Sequence, residues 1–247
     1  MRHRGNPIGS SNLPLSANMF LIMHYFLFGA NVIMAQRTGL YILIVFLLVH
    51  SVASVAQEGK IISSVTIQSA KDYANTRWEG LNIPAGTRLN MIMSPSGKVL
   101  RQLEFAGGVT ISELEKGGTL EIDHSKGGGI MCGWGLSRHL KLFMDECHRD
   151  EIEVREKLDI AVSRYKDFIV ANSLRPVTQA ALEDEFQKNI SDGLQRSGKT
   201  MPDICKGDFD KFARQILSQK SYWLEHIDKS LDESLATPRP PVNNPCM

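Results

Sequence analysis

The apolar run Leu40-Tyr41-Ile42-Leu43-Ile44-Val45-Phe46-Leu47-Leu48-Val49 stands between Arg37 and Ser54-Val55-Ala56, and it decides how much of this chain is available to fold. A basic head, a short apolar core and small residues at positions −3 and −1 make the pattern a signal peptidase reads. It predicts cleavage between Ala56 and Gln57, and folding of the remainder in an oxidising compartment. Charge agrees, because no Asp or Glu precedes Glu58 although the chain carries 27. A second apolar run, Met19 to Phe28, is interrupted by His24, and neither run supplies the roughly 20 consecutive apolar residues of a spanning helix. Residues 1–56 therefore read as a leader, with Met34 as the expected initiator because Met34-Ala35-Gln36-Arg37 supplies the basic head. A leader kept as a membrane tether is the alternative, and the mature chain itself is expected to contain no membrane span.

Without Arg2, Arg4 and Arg37 the chain has 25 basic against 27 acidic side chains, a net of −2. That balance gives no basic excess to neutralise phosphates and argues against nucleic acid as a partner.

Residues 57–131 read as a β-rich module. Partial alternation in Ile61 to Ile67 suits a strand, and Leu89 to Met93, Ser94-Pro95-Ser96-Gly97 and Val99 to Leu103 suit a hairpin. A further strand is expected at Thr119 to Ile122. Residues 132–247 switch to helical period: Leu136, Leu140, Phe143 and Cys147; then Leu158, Val162, Tyr165 and Ile169. Thr178 is placed to cap a third helix carrying Leu182, Phe186 and Ile190, and Phe209 to Ile216 and Trp223 to Leu235 mark a fourth and fifth. The tail Pro238-Arg239-Pro240-Pro241 cannot continue a helix. The expected fold class is α+β, a small N-terminal antiparallel β module followed by a four- to five-helix disulfide-linked bundle.

Four cysteines, Cys132, Cys147, Cys205 and Cys246, all follow the expected cleavage site, and an even number in an exported chain predicts two disulfides. A helix from about Leu136 to Glu146 would hold Cys132 and Cys147 roughly 15 Å apart or more, beyond a disulfide's reach. In an up-down bundle Cys147 and the loop carrying Cys205 share one end, and the tail can return Cys246 to Cys132. The expected pairs are Cys147–Cys205 and Cys132–Cys246.

Gly193-Leu194-Gln195-Arg196-Ser197-Gly198-Lys199-Thr200 matches the phosphate-loop pattern at Gly193, Gly198, Lys199 and Thr200. That loop needs a strand entering it and a helix leaving it, whereas here a helix enters and Met201-Pro202 follows. The match reads as a false positive, and no cofactor is expected. The glycine-rich stretch from Asp123 to Gly135 suits an anion site by context, but turns joining sheet to helix explain it more simply. Cys132, His139, Cys147 and His148 fit no compact metal-ligand spacing, so no metal is expected. Ser163 and Lys166 satisfy S-x-x-K without its companion motifs. His124, His139, His148 and His226 offer bases, with no G-x-S-x-G elbow to supply a nucleophile. The weak catalytic candidates are His139, His148 and Asp145, the last within the polar cluster Asp145, Glu146, His148, Asp150 and Glu151. Trp134, Tyr222 and Trp223 could form a recognition patch, though aromatics near helix ends commonly serve the core.

The expected function is that of a periplasmic or secreted, disulfide-bonded protein acting by protein–protein binding, such as an envelope accessory or inhibitor protein, with an unknown protein partner. A small envelope hydrolase using His139 or His148 and a membrane-tethered envelope protein are the alternatives.

Overall fold

A computed structural model describes residues 59–206 and 208–246, with the side chains of 208 and 209 outside that description. The leader, Met34, the Ala56–Gln57 cleavage site and Phe209's place in a helical stripe lie outside the described residues. Among the described residues five strands, β1 (Lys60–Thr66), β2 (Arg88–Met93), β3 (Val99–Glu104), β4 (Val109–Glu113) and β5 (Thr119–Asp123), form one antiparallel sheet in sequential order. Five α-helices follow there: α1 (Ile130–Cys147), α2 (Ile152–Asn172), α3 (Gln179–Ser197), α4 (Asp208–Ser218) and α5 (Lys220–Leu235). Short 3-10 turns cover Ala70–Tyr73 and Met201–Lys206. The fold class is α+β, with the β module ahead of a helical bundle that carries two disulfides. Among the described residues no helix is long and apolar enough to cross a membrane.

The chain divides into two compact units. Among the described residues, one comprises 59–64 together with Asn90–Gln102 and Ser112–Leu120. A polar row runs across it: Ser64 Oγ donates to Asn90 Oδ1 at 2.6 Å, Asn90 Nδ2 to Gln102 Oε1 at 3.3 Å, and Gln102 Nε2 to Ser112 Oγ at 2.9 Å. The row crosses four strands and satisfies the buried Asn90, whose amide would otherwise be costly to desolvate.

The other unit comprises Val65–Leu89, Leu103–Ile111 and Glu121 onward, and holds three apolar clusters. Ile67, Tyr73, Trp78, Leu89, Leu103, Phe105, Val109 and Val242 form the first. Trp134, Val162, Ile169, Leu182 and Phe186 form the second, on α1, α2 and α3. The third gathers Leu140, Phe143, Met144, Val154, Leu158 and Ala213, with Trp223 packed against it. Helix α3 begins where Thr178 Oγ1 accepts from the Ala181 N–H at 3.1 Å, and stops at Gly198, whose φ of 63° suits glycine.

One sequence expectation needs correction. Helix α1 starts at Ile130, not near Leu136, so Cys132, Gly133 and Gly135 lie inside it. Gly129 and Gly133, which read as turn chemistry, instead make room for neighbouring chain. A Cβ on Gly133 would meet the Tyr165 hydroxyl at 2.6 Å, and one on Gly129 would meet the Asn243 carbonyl oxygen at 2.6 Å. The fourth and fifth helices are separate, as the sequence marks them, with the break at Gln219.

The proline-containing tail is not a free end. Asp123 N–H donates to the Asn244 carbonyl at 2.7 Å, Gly129 N–H to Pro245 at 3.0 Å and Met131 N–H to Val242 at 3.1 Å. The Val242 side chain is buried in the first cluster. Arg239 inserts its guanidinium beside Asp123, Nε to Oδ2 at 2.7 Å, with side-chain exposures of 1% and 0%. One disulfide joins Cys132 to Cys246 and the other joins Cys147 to Cys205.

Candidate functional site

The two histidines singled out from sequence lie on different parts of α1. His139 is inside the helix, its Nδ1–H donating to the Gly135 carbonyl at 2.7 Å and its ring set edge-on to Phe186 at 4.8 Å. Burial, reinforced by the Arg138 charge and opposed by the Gly135 bond, depresses its pKa below 6.5. It is occupied in packing, beside Arg138, which lies 4.5 Å over the Phe186 ring and pairs with Glu183. The Arg138 guanidinium holds the Glu183 carboxyl below its ordinary 4.5.

A carboxyl whose folded pKa is lowered adds stability that is complete above the unfolded value and is lost as pH falls through the folded one. Glu183→Gln is accordingly expected to lower stability by about 1 kcal/mol above pH 4.5 and to make no difference well below it. Urea unfolding on both sides of pH 4.5 checks this; a constant difference across the series would contradict it.

His148 caps the C-terminal end of α1, next to the Cys147–Cys205 bridge. Its Nε2 stands 3.3 Å from Asp210 Oδ1, a residue of α4 that sequence reasoning did not single out. Arg214 chiefly, and His148 after it, keep the Asp210 carboxyl below its ordinary range against the opposing effect of burial. Asp145, the candidate partner from sequence, is engaged elsewhere: Lys141 Nζ lies at 2.5 Å and Arg155 Nε at 2.8 Å. A histidine held against a carboxylate is half of a base-and-orienter arrangement. The adjacent thiols are joined in a disulfide and cannot act as nucleophiles.

The other motifs resolve into structure. Gly193 and the residues to Ser197 are the last turn of α3, and Gly198 is its cap, with Thr200 Oγ1 donating to Asp203 Oδ2 at 2.6 Å. A helix thus enters the loop from the side where a phosphate loop requires a strand. The Asp123 to Gly135 stretch is occupied by the tail, whose carbonyls accept from the Asp123, Gly129 and Met131 amides. Ser163 is exposed on α2, one turn from Lys166. Trp134 is buried in the second cluster, Trp223 packs on the third, and Tyr222 is 62% exposed and stacked on His226 at 3.9 Å. These aromatics do not share one patch. Among the described residues no group of three or more His, Cys, Asp or Glu could hold a metal ion. A shallow depression of about 540 Å³ is lined by residues 217–222 alone, where α4 meets α5.

The most open feature is β1. All seven of its residues are exposed, and it forms one end of the strand order. Ile61, Ile62 and Val65 are 54%, 48% and 56% exposed, which puts exposed apolar side chains on the strand that ends the sheet order among the described residues. Natural sheets ordinarily guard such edges with proline, a bulge or a mid-strand charge. Here the only charged residue of the strand is Lys60, at its start. The opposite edge, β5, carries Glu121 at mid-strand and is capped at Asp123 by the tail. The run of adjacent isoleucines, which departs from the alternation of a half-buried strand, was the sequence signal for this edge.

No family model, curated protein or solved structure matches the chain.

Proposed function

We propose that this protein is exported and works in the periplasm or outside the cell by binding another protein along the open edge of β1, as an envelope accessory or inhibitor protein would. The observation that carries this reading is the fully exposed, almost uncharged strand at the end of the sheet. An extended segment added there gains main-chain hydrogen bonds from the edge and side-chain contacts on alternating positions. The two disulfides support the compartment, since such bonds persist where the surroundings are oxidising.

A photo-crosslinking amino acid at Ser63, compared with the same probe at the exposed Lys188 on α3, tests the reading in intact cells. Covalent protein adducts are expected from position 63 and not from 188. Absence of adducts at 63, or equal yields at both, would contradict it.

A second reading, a small hydrolase, is favoured by the His148–Asp210 pair alone. His148→Ala would abolish such an activity while leaving capture through position 63 intact.

A further inference from the structure

The two bridges differ in how their sulfurs meet solvent. Cys147 and Cys205 are both half-buried, whereas Cys246 is exposed and its partner Cys132 is buried. A thiol arriving from solvent therefore has one open sulfur to attack, that of Cys246. Such an attack expels Cys132, the third residue of α1, and the partial positive charge of a helix's first turn favours a thiolate there.

The tail that Cys246 ends is seated on a bed made for it. A Cβ on Gly107 would stand 2.7 Å from the Pro238 carbonyl oxygen, and one on Gly127 2.7 Å from Ser234 Cα, so glycine there, as at Gly129, lets the chain lie close. The last part of the tail is held by the bridge, by the main-chain bonds from Asp123, Gly129 and Met131, and by the buried Val242. Residues Asn243 to Cys246 are exposed, and ordering them costs conformational entropy of the same order as such bonds return. The crosslink is what tips that balance. Arg239, by contrast, is fixed by contacts that contain no sulfur: Asp123 and the carbonyls of Gly128, Ser234 and Thr237.

We propose that the Cys132–Cys246 bridge, closed at rest, is an exchange site for a dithiol reductant, and that opening it lifts residues 242–246 from the end of β5 and the start of α1 while Arg239 stays as the hinge. One thiolate of the dithiol attacks Cys246 Sγ; a mixed disulfide forms, the bond to Cys132 breaks, and Cys132 leaves as a thiolate that takes up a proton. The second thiolate of the dithiol then attacks its own neighbour's sulfur in the mixed disulfide. The reductant closes into a disulfide and Cys246 leaves as a thiolate, protonated in turn. The protein has gained two electrons and two protons, and the dithiol has lost them. The release uncovers the amides of Asp123, Gly129 and Met131 and the place of Val242 in the first cluster. This device is independent of β1.

Graded dithiothreitol on the oxidised full chain, followed by alkylation and peptide mapping, tests it. Cys132 and Cys246 are expected to label at a dithiol concentration about tenfold or more below that which labels Cys147 and Cys205, because exchange rates follow access to sulfur. At the lower concentration the amides of Asp123, Gly129 and Met131 are expected to lose about tenfold or more of their hydrogen-exchange protection, while the Phe143 amide within α1 keeps its own. Transfer to oxidised glutathione is expected to restore that protection. Labelling of all four cysteines together, or of Cys147 and Cys205 first, overturns the exchange site. Selective labelling of Cys132 and Cys246 with the three amides still protected, or protection that does not return on oxidation, overturns the release.

Discussion

Arg239→Ala is expected to lower the unfolding free energy by about 3–5 kcal/mol, the cost of stranding one member of a buried ion pair. Both side chains are essentially sealed from water, at 1% and 0% exposure. The guanidinium also donates to the Ser234 carbonyl at 2.9 Å, to Thr237 at 3.1 Å and to Gly128 at 3.3 Å, and lies 5.8 Å from the Phe168 ring centre. Alanine would leave the Asp123 carboxylate a buried charge held by the Ser125 N–H at 2.8 Å, and would deprive three carbonyls of their guanidinium donor. Arg239→Lys keeps the charge but not the fork of donors, and is expected to fall between the two. Replacing both partners together, as Asp123→Asn with Arg239→Met, should recover part of the loss, because no buried charge is then left unpaired. Equilibrium urea unfolding measures all four proteins. A loss below about 1 kcal/mol for Arg239→Ala would show that the pair contributes little to the fold.

Removing the Cys132–Cys246 bridge is the second large effect. It links residues 114 apart in sequence, and chain-entropy reasoning puts a loop of about 100 residues near 4.7 kcal/mol, with measured losses of about 2–5 kcal/mol. Cys132→Ala with Cys246→Ala is expected to lose a few kcal/mol and to free the tail from its hydrogen bonds before the helices open. Amide exchange at Asp123, Gly129 and Met131 reads that release directly, since all three donate to tail carbonyls. Unchanged protection there would contradict it. The Cys147–Cys205 bridge spans 58 residues and ties α1 to the turn before α4, so its loss should leave those three amides protected. Because Arg239 and Cys246 hold the same tail, combining Arg239→Ala with loss of the Cys132–Cys246 bridge should cost less than the sum of the two.

What the sequence discloses is what local chemistry dictates. Thr178 ahead of an amphipathic stripe, and Gly198 at its end, specify α3 from within the helix's own residues. Ser94-Pro95-Ser96-Gly97 between two alternating runs specifies the β2–β3 hairpin. The disulfide partners were also accessible, because helix length separates Cys132 from Cys147 and bundle topology brings the remaining thiols to common ends. The start of α1 was not accessible. Gly127-Gly128-Gly129, Gly133 and Gly135 carry the composition of a turn, and the close approach of the tail to Gly129 and of Tyr165 to Gly133 is not written in them. Asp123 and Arg239 are separated by 116 residues, and no short-range pattern links them. Asp210 reads from sequence as a polar position between the apolar Phe209 and Phe212, and only the meeting of α4 with the end of α1 sets it against His148. The edge character of β1 depends on strand order, to which its own seven residues contribute only the hint of adjacent isoleucines.

We propose a chain that is exported, cleaved and doubly disulfide-bonded, and the binding reading of β1 rests on that compartment. The intact mass of the protein from its native cells, with thiols alkylated before and after reduction, tests it most directly. The account predicts a chain beginning at Gln57, with no alkylation before reduction and four alkylated thiols after it. A chain still carrying its leader, with thiols that react before reduction, would contradict both the compartment and the bridges on which the rest is built.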